Sequence, residues 1–283
     1  MIKRIFLAAG GLILLFVLLL FGKTTIKKDG FPHTEQATSV FNIQDAITKE
    51  KQKLSPLRLM YVSNLENNIS RGDVKIQAEK QFTQLANFWK DSVGIFVPYA
   101  YYLSEAAKLD NSEKKLTFAA RLILENMRRE DSVDLKTWEA GTAASLFEKA
   151  LKLNPDNDDL KVGLASCYVY GRGMIGDAQQ TMKGIQQLLE VVHKDSNNMQ
   201  AQMVLGIGAV ISRQFDKAIE RLNKVVAFDP HNLEAVSWLA DAYASYGDKQ
   251  NATKWYEQSK HLVNNPAFSK EVDERIKALN TRP

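Results

Sequence analysis

A short sequence pattern recurs at a regular interval, and this repeat constrains the fold more than any other feature of the chain. Leu-Gly-x-x-Ala at 205–209 returns as Leu-Ala-x-x-Tyr at 239–243, 34 residues later. An earlier copy, Leu-Ala-x-x-Tyr, lies at 164–168, 41 residues before the first. Intervals of this length are typical of stacked helical units, in which each unit buries its apolar face only against its neighbours.

A second element of the repeat indicates how the helices of one unit meet. Ala-x-x-x-Leu at 218–222 returns as Ala-x-x-x-Tyr at 252–256, and Gly-x-x-x-Leu stands 34 residues earlier at 184–188. Each copy of both elements contains a small residue, which allows two helices of a hairpin to approach closely. Pro155 and Pro230 then follow the second element, and a proline cannot continue a helix. The repeat unit is therefore predicted to be a hairpin of two helices.

These two elements, in this order, resemble the tetratricopeptide repeat family. The repeats cover 137–264, with an expanded unit at 156–197 and two further units at 198–231 and 232–264. Ser196 stands where the family has a proline, and Trp238 lies two residues beyond the usual tryptophan. The resemblance implies an all-α solenoid of stacked hairpins, and it extends to uncharacterised bacterial membrane-anchored proteins of this kind.

The resemblance also implies where a partner would bind. In the family, the first helices of the hairpins line a groove that holds peptides, and the matching positions here are Val162, Ser166, Tyr170, Met203, Ile207, Val210, Ser237, Asp241 and Ser245. The Lys and Asn side chains with which chaperone-binding members clamp a peptide carboxylate are absent from these positions. An extended or helical apolar segment is therefore the expected ligand. The alternative is that neighbouring N-terminal helices simply cover Met203 and Ile207.

Helices are also predicted on both sides of the repeats. Candidate helices lie at 36–53, 56–71, 73–91, 94–109, 112–130 and 135–153, and they are expected to form degenerate hairpins over 36–136 that continue into the repeats. No alternating apolar and polar pattern predicts a sheet. Val272, Ile276 and Leu279 share one face of residues 265–283, which predicts a capping helix over the last hairpin.

The N-terminus carries an uncharged, leucine-rich run from Ile5 to Phe21. As a helix it would be about 25 Å long, near the lower limit for crossing a bilayer. Leu20 and Phe21 are too bulky for a signal-peptidase site, so residues 1–23 are predicted to be an uncleaved anchor, followed by a linker at 24–35. The short basic N-terminus predicts a single-pass protein of the cell (inner) membrane whose C-terminal domain is extracytoplasmic.

The positive charge of the chain is confined to this anchor. The formal net charge is +4, and residues 1–30 hold five basic side chains and one acidic side chain. The rest of the chain holds 32 of each sign and is formally neutral. Binding of nucleic acid, which requires clustered Lys and Arg, is therefore not predicted.

No pattern in the sequence predicts a cofactor or a metal site. Gly171, Gly173 and Gly176 match the letters of a dinucleotide-binding motif, but a helix rather than a strand precedes them, so they are interpreted as a hairpin loop. The seven extra residues of the expanded unit are placed in this loop and in one added turn of a helix at 177–194. The four histidines are scattered, and the single cysteine, Cys167, is predicted to be buried and inert.

The sequence therefore predicts a non-catalytic, membrane-anchored scaffold that binds a protein or peptide partner at the cell envelope. Two alternatives with the same architecture stay open. One is an envelope assembly factor, because bacterial cytochrome c maturation proteins share an anchored repeat layout. The other is a self-associating structural module. An enzyme is the least favoured class, and a buried cluster of ionisable residues would be its structural sign.

Overall fold

Helical hairpins stack one after another along the chain from residue 41 onward. The computed structural model describes residues 41–71, 75–173, 178–263 and 265–281. Over these ranges the α-helices are α1 Ile43–Lys51, α2 Pro56–Arg71, α3 Lys75–Asn87, α4 Phe96–Asp110, α5 Glu113–Met127, α6 Val133–Leu153, α7 Asp158–Ser166, α8 Ala178–Lys194, α9 Met199–Ile211, α10 Phe215–Phe228, α11 Leu233–Tyr246, α12 Lys249–Leu262 and α13 Pro266–Thr281. Two π-helical turns, Phe88–Val93 and Cys167–Gly173, follow α3 and α7. These ranges contain no strand, and the predicted all-α solenoid of hairpins is confirmed.

The repeat pattern corresponds to four successive hairpins. Their first helices are α5, α7, α9 and α11, and their second helices are α6, α8, α10 and α12; each first helix packs on the second helix that follows it. Upstream, α3 and α4 form a further hairpin, and α1 packs on α4. At the other end α13 packs on α12, and its Val272 and Leu279 are buried.

An asparagine begins three of the first helices in the same way. Asn157, Asn198 and Asn232 each accept, through Oδ1, a hydrogen bond from the backbone N–H three residues later, at 3.2, 2.9 and 3.0 Å. This bond satisfies one of the amide groups that the first turn of a helix leaves without an acceptor. The three positions are spaced by the same 41 and 34 residues as the repeat, so the asparagine cap recurs with it.

Replacing Asn232 by alanine is expected to lower the free energy of unfolding by about 1 kcal/mol, because one amide of the first turn of α11 loses its acceptor. Asn68→Ala is the matched control, since Asn68 is exposed within α2 and caps nothing. Urea denaturation followed by circular dichroism measures both. Equal losses for the two variants would show that the cap contributes nothing.

The small residues of the repeat allow the close helix contacts that were predicted. A Cβ built on Gly206 of α9 would lie 2.8 Å from Cγ of Leu222 on α10, so even alanine would force these helices apart. Leu222, Leu188 and Phe147 occupy the same position of the second element in successive hairpins, and all three are fully buried. The large residue of one element therefore packs against the small residues of the other.

The expanded repeat unit differs from its prediction. Residues 167–173 are not a loop; they continue α7 as the π-helical turn Cys167–Gly173. A Cβ on Gly171 would overlap Cβ of Ala140 on α6, so Gly171 is required for close packing between helices. The predicted loop at Gly171 and Gly173 is therefore wrong, and Gly176 lies outside the described residues. The second helix of the unit, α8, runs from Ala178 and is close to the predicted 177–194.

The predicted anchor at 1–23 and linker at 24–35 lie outside the described residues. Within the part of the chain that the structure describes, none of the helices is both long and apolar enough to span a bilayer.

Candidate functional site

The nine predicted groove residues lie on three neighbouring first helices. Val162, Ser166 and Tyr170 belong to α7 and its π-helical extension, Met203, Ile207 and Val210 to α9, and Ser237, Asp241 and Ser245 to α11. Of these, the first five in sequence order are buried, Val210, Ser237 and Asp241 are half-buried, and only Ser245 is exposed. An open groove along all nine positions is therefore not what the structure shows.

Helix α5 lies over four of these residues, Val162, Ser166, Tyr170 and Met203. Leu124 of α5 packs against the cluster that contains Val162, Tyr170 and Met203. A cavity of about 300 Å³ remains between α5, α7 and α9, and we call it the first-helix cavity. Its lining residues are Arg121, Leu124, Glu125, Arg128, Phe147, Asp159, Val162, Gly163, Ser166, Tyr170, Gln200, Met203 and Val204. The apolar side chains of α7 and α9 thus form the inside of a cavity with charged residues of α5 at its rim.

Arg128, just beyond the end of α5, closes one side of this cavity. Its guanidinium carbon lies 5.1 Å from the centre of the Tyr170 ring, and it forms ion pairs with Glu125, at 3.4 Å, and with Glu234. Glu234 is in the first turn of α11, so the pair reaches past both α7 and α9. Burial raises the pKa of Tyr170 above its ordinary value, and the nearby Arg128 charge opposes this shift. The tyrosine is therefore neutral and serves as the face on which Arg128 stacks.

The Arg128–Glu234 pair is expected to contribute a coupling energy of about 1 kcal/mol, because both side chains are only partly exposed and Arg128 also stacks on Tyr170. A double-mutant cycle of Arg128→Ala and Glu234→Ala in urea denaturation measures it. The i,i+4 pair of Lys224 and Glu220 on α10 is the control, for which about 0.3–0.5 kcal/mol is usual. If the coupling energy of Arg128 and Glu234 is no larger than that of Lys224 and Glu220, the closure of the cavity by Arg128 is contradicted.

The C-terminal groove residues are engaged by the capping helix. Tyr256 Oη donates a hydrogen bond to Asp241 Oδ1 at 2.5 Å, and Arg275 of α13 pairs with the same oxygen at 3.3 Å. Burial, followed by this acceptor, raises the pKa of Tyr256 well above its ordinary value. Asp241 is thus occupied within the chain, and Ser237 lines a small cavity of about 170 Å³ beneath α13.

One buried carboxyl was not singled out by the sequence. Glu139 of α6 is fully buried, its Oε1 accepts a hydrogen bond from Asn126 Nδ2 at 2.8 Å, and its Oε2 has no hydrogen-bond partner among the described protein atoms. Burial raises its pKa to about 7; the negative charge of Glu130 acts in the same direction, while the Asn126 hydrogen bond and Lys136 oppose it. The sequence could have indicated this burial through helical spacing. Glu139 shares one face of α6 with Ala143, Leu146 and Ala150, all of which are buried.

Buried carboxyls and clusters of metal-ligating side chains are few among the described residues. Glu139 is the one buried carboxyl among them, and they contain no group of three or more His, Cys, Asp or Glu side chains that could hold a metal ion. Cys167 is buried as predicted; its thiol donates to the carbonyl of Gly163 at 3.3 Å, and burial raises its pKa well above the usual range. It is therefore a neutral packing residue.

Comparison with known proteins agrees with the fold. The family model described as tetratricopeptide repeat matches residues 139–198, which confirms the resemblance inferred from the repeats. The crystal structure of TTC0263, a thermophilic protein of this type in Thermus thermophilus, covers 72% of this chain and 100% of its own, with a TM-score of 0.52 and 16% identity. That likeness shows the fold alone.

Other similar proteins cover less or align less closely. YrrB, a repeat protein with an unusual peptide-binding site, covers 69% of this chain and 91% of its own at 17% identity, with a TM-score of 0.42. The "BBSome complex member BBS4" of Bos taurus is 29% identical over 110 residues, 39% of this chain. The matched segment spans 20% of that curated relative's length.

Proposed function

We propose that this chain, whose helical hairpins are tetratricopeptide repeats, is a non-catalytic scaffold that binds a segment of another protein in the first-helix cavity. The observation that carries the proposal is the cavity itself, in which the apolar Val162, Tyr170 and Met203 lie behind a charged rim. Each charge at the rim is already paired within the chain, as Arg121 is with Asp159 and Arg128 with Glu125 and Glu234. An apolar partner segment can therefore enter without leaving a buried charge unpaired.

The proposal includes a place for the scaffold at the cell envelope. The apolar run from Ile5 to Phe21 supports an anchor in the cell membrane, and the neutral remainder of the chain supports a domain that recognises protein rather than nucleic acid. With a cytoplasmic N-terminus, the repeats lie outside the cytoplasm. Fusions of alkaline phosphatase and of a cytoplasmic reporter after Pro283 test this orientation. Activity of the cytoplasmic reporter alone would reverse it.

Photo-crosslinking tests the binding site without disturbing the core. Gln200 is exposed at the edge of the first-helix cavity, whereas Met203 and Ile207 are buried, so replacing the latter two would destabilise the core. A photoreactive phenylalanine at position 200 of the full chain in native membranes should give a discrete adduct. The same residue at Lys224, on the exposed side of α10, is the matched control. Equal adducts at both positions, or adducts at neither, would rule out the cavity as the partner site.

A further inference from the structure

Two junctions between successive hairpins contain a tyrosine at the same repeat position. Tyr168 Oη donates a hydrogen bond to Glu148 Oε1 on α6 at 2.9 Å. Asn223 Nδ2 on α10 donates to Tyr243 Oη at 3.3 Å. In both cases the polar partner stands 20 residues before the tyrosine, on the preceding second helix. Each tyrosine thus occupies part of the space beside that helix, and its hydroxyl group has a hydrogen-bond partner there.

The junction between these two lacks both members of the pair. Ala209 stands where the neighbouring units have tyrosine, and Leu189, 20 residues earlier on α8, stands where they have Glu148 and Asn223. The replacement of a phenol ring by a methyl group leaves space beside α8 in this junction. The structure accordingly has an apolar trough of about 400 Å³ between α8, α9 and α10, which we call the second-helix trough.

The walls and floor of this trough suit an apolar guest. Met182 and Leu189 of α8 form one wall and are 57% and 43% exposed, so they give the trough a contiguous apolar side that is open to solvent. The floor is Gly208 and Ala209 of α9, and a Cβ on Gly208 would lie 2.9 Å from Cδ1 of Ile185. Leu205 and Ile211 of α9 complete the apolar lining beside Ala209.

The charge at the edge of the trough is of one sign. Lys217 and Arg221 of α10 line it, and no Asp or Glu is among the described residues that do so. Both cations have neutral partners: Lys217 Nζ donates to Gln214 Oε1 at 2.8 Å, and Arg221 Nη1 donates to Gln202 Oε1 at 2.7 Å. The nearby Glu220 pairs instead with Lys224. Two positive charges therefore flank an apolar trough, and they complement a guest that carries acidic groups.

We infer that the second-helix trough is a second binding site, separate from the first-helix cavity, for a protein segment that combines an aromatic side chain with adjacent acidic residues. The aromatic ring occupies the space that Tyr168 and Tyr243 fill in the neighbouring junctions. Phenylalanine suits this space, because the apolar Leu189 stands where the neighbouring junctions have the polar partner of the tyrosine hydroxyl. The acidic residues of the segment pair with Lys217 and Arg221. This inference rests on the proposed function as a protein-binding scaffold.

Peptide selection on the full chain, held in detergent micelles, tests the inference. Random short peptides displayed on phage are selected against the wild type and against the double variant Ala209→Tyr, Leu189→Asn, which restores the pair of the neighbouring junctions. We expect the wild type alone to enrich peptides with Phe beside Asp or Glu. Enrichment of the same peptides by both proteins, enrichment of basic peptides, or no enrichment would overturn the inference. An absence of enrichment would also be the result if another part of the chain covered the trough.

A synthetic copy of a selected peptide then measures the contribution of each feature by fluorescence anisotropy. Met182→Arg blocks the trough from an exposed position and is expected to weaken binding about tenfold or more without lowering the melting temperature. Lys217→Glu should weaken binding and reduce its dependence on salt. Lys224→Glu, on the same helix but outside the trough, is the control. Equal effects of the two lysine variants would contradict recognition of acidic residues.

Failure of this inference and failure of the proposed function give different results. Position 200 lies at the first-helix cavity and does not line the second-helix trough. If position 200 gives an adduct but the trough selects no peptide, the proposed scaffold function stands and only the second site is contradicted. Trough-dependent peptides without an adduct at position 200 would leave the second site and remove the first.

Discussion

Replacing Phe147 by alanine is expected to lower the free energy of unfolding by about 3–5 kcal/mol, the range usual for removing a buried phenylalanine. The Phe147 side chain is 0% exposed, and its ring packs between α6 and α7 in one of the central core clusters. The cavity left behind cannot collapse readily, since the neighbouring Leu146, Ala143 and Ala150 are themselves fully buried. Phe228→Ala is the matched control, because Phe228 is 73% exposed at the end of α10 and should change stability little.

A second substitution tests whether Phe147 stabilises the fold through its specific contact with Gly163, rather than only through the apolar area that it buries. A Cβ on Gly163 would overlap the Phe147 ring, so Gly163→Ala should destabilise the wild type. In the Phe147→Ala background the same change should cost much less, since the ring is gone. Urea denaturation of the four proteins gives this coupling directly. Additive losses would show that Phe147 does not press against Gly163.

Glu139 is expected to make the fold less stable as the pH rises. Its pKa in the folded chain is about 7, above the ordinary 4.5, so the folded state binds the proton more tightly than the unfolded state does. The stabilisation that protonated Glu139 gives the folded state is complete below about pH 4.5. It is lost as the pH rises from there to about 7. At about 1.4 kcal/mol for each pH unit, the full loss is about 3 kcal/mol. The physical cause is burial of a carboxyl with one unpartnered oxygen.

Glu139→Gln tests this expectation because glutamine has nearly the same shape and no charge. The variant should be more stable than the wild type at pH 8 by about 2 kcal/mol, with little difference at pH 4.5. Glu190→Gln, which removes an exposed carboxylate from α8, should keep the pH dependence of the wild type. Thermal unfolding from pH 4.5 to pH 8 measures all three proteins. A wild type and a Glu139→Gln variant with parallel profiles would show that Glu139 is not protonated in the fold.

The helices themselves could be predicted closely from the sequence. The range 56–71 agrees with α2, since Pro56 favours the start of a helix, and the hairpins α9–α10 and α11–α12 follow the 34-residue spacing. The π-helical turn Cys167–Gly173 could not be predicted, because its glycine at 171 is locally typical of a loop. Only the contact with Ala140 on another helix makes that glycine part of a packed helix.

The candidate site was predicted less completely than the fold. The helix and position of each groove residue followed from the repeat, but the burial of Tyr170 and Met203 did not. That burial is produced by α5 and Arg128, which lie before the repeats predicted at 137–264 and whose docking has no local signal. The second-helix trough was present in the sequence as a departure from the repeat at Ala209. The matching departure at Leu189 could be recognised only once Tyr168 and Tyr243 were seen to meet residues 20 positions earlier.

The sequence by itself determined the hairpins, their order and the side of each helix that faces the core. Helix formation and amphipathic spacing are local properties, and they can be read from residues three, four and 34 positions apart. The tertiary structure alone decided which of the apolar positions stay open to a partner. Whether Met203 is covered, Glu139 is left without a second hydrogen bond or Leu189 is exposed depends on distant helices packing against them. Such contacts are set by the fit of side-chain volumes between helices, and that fit leaves no periodic mark in the sequence.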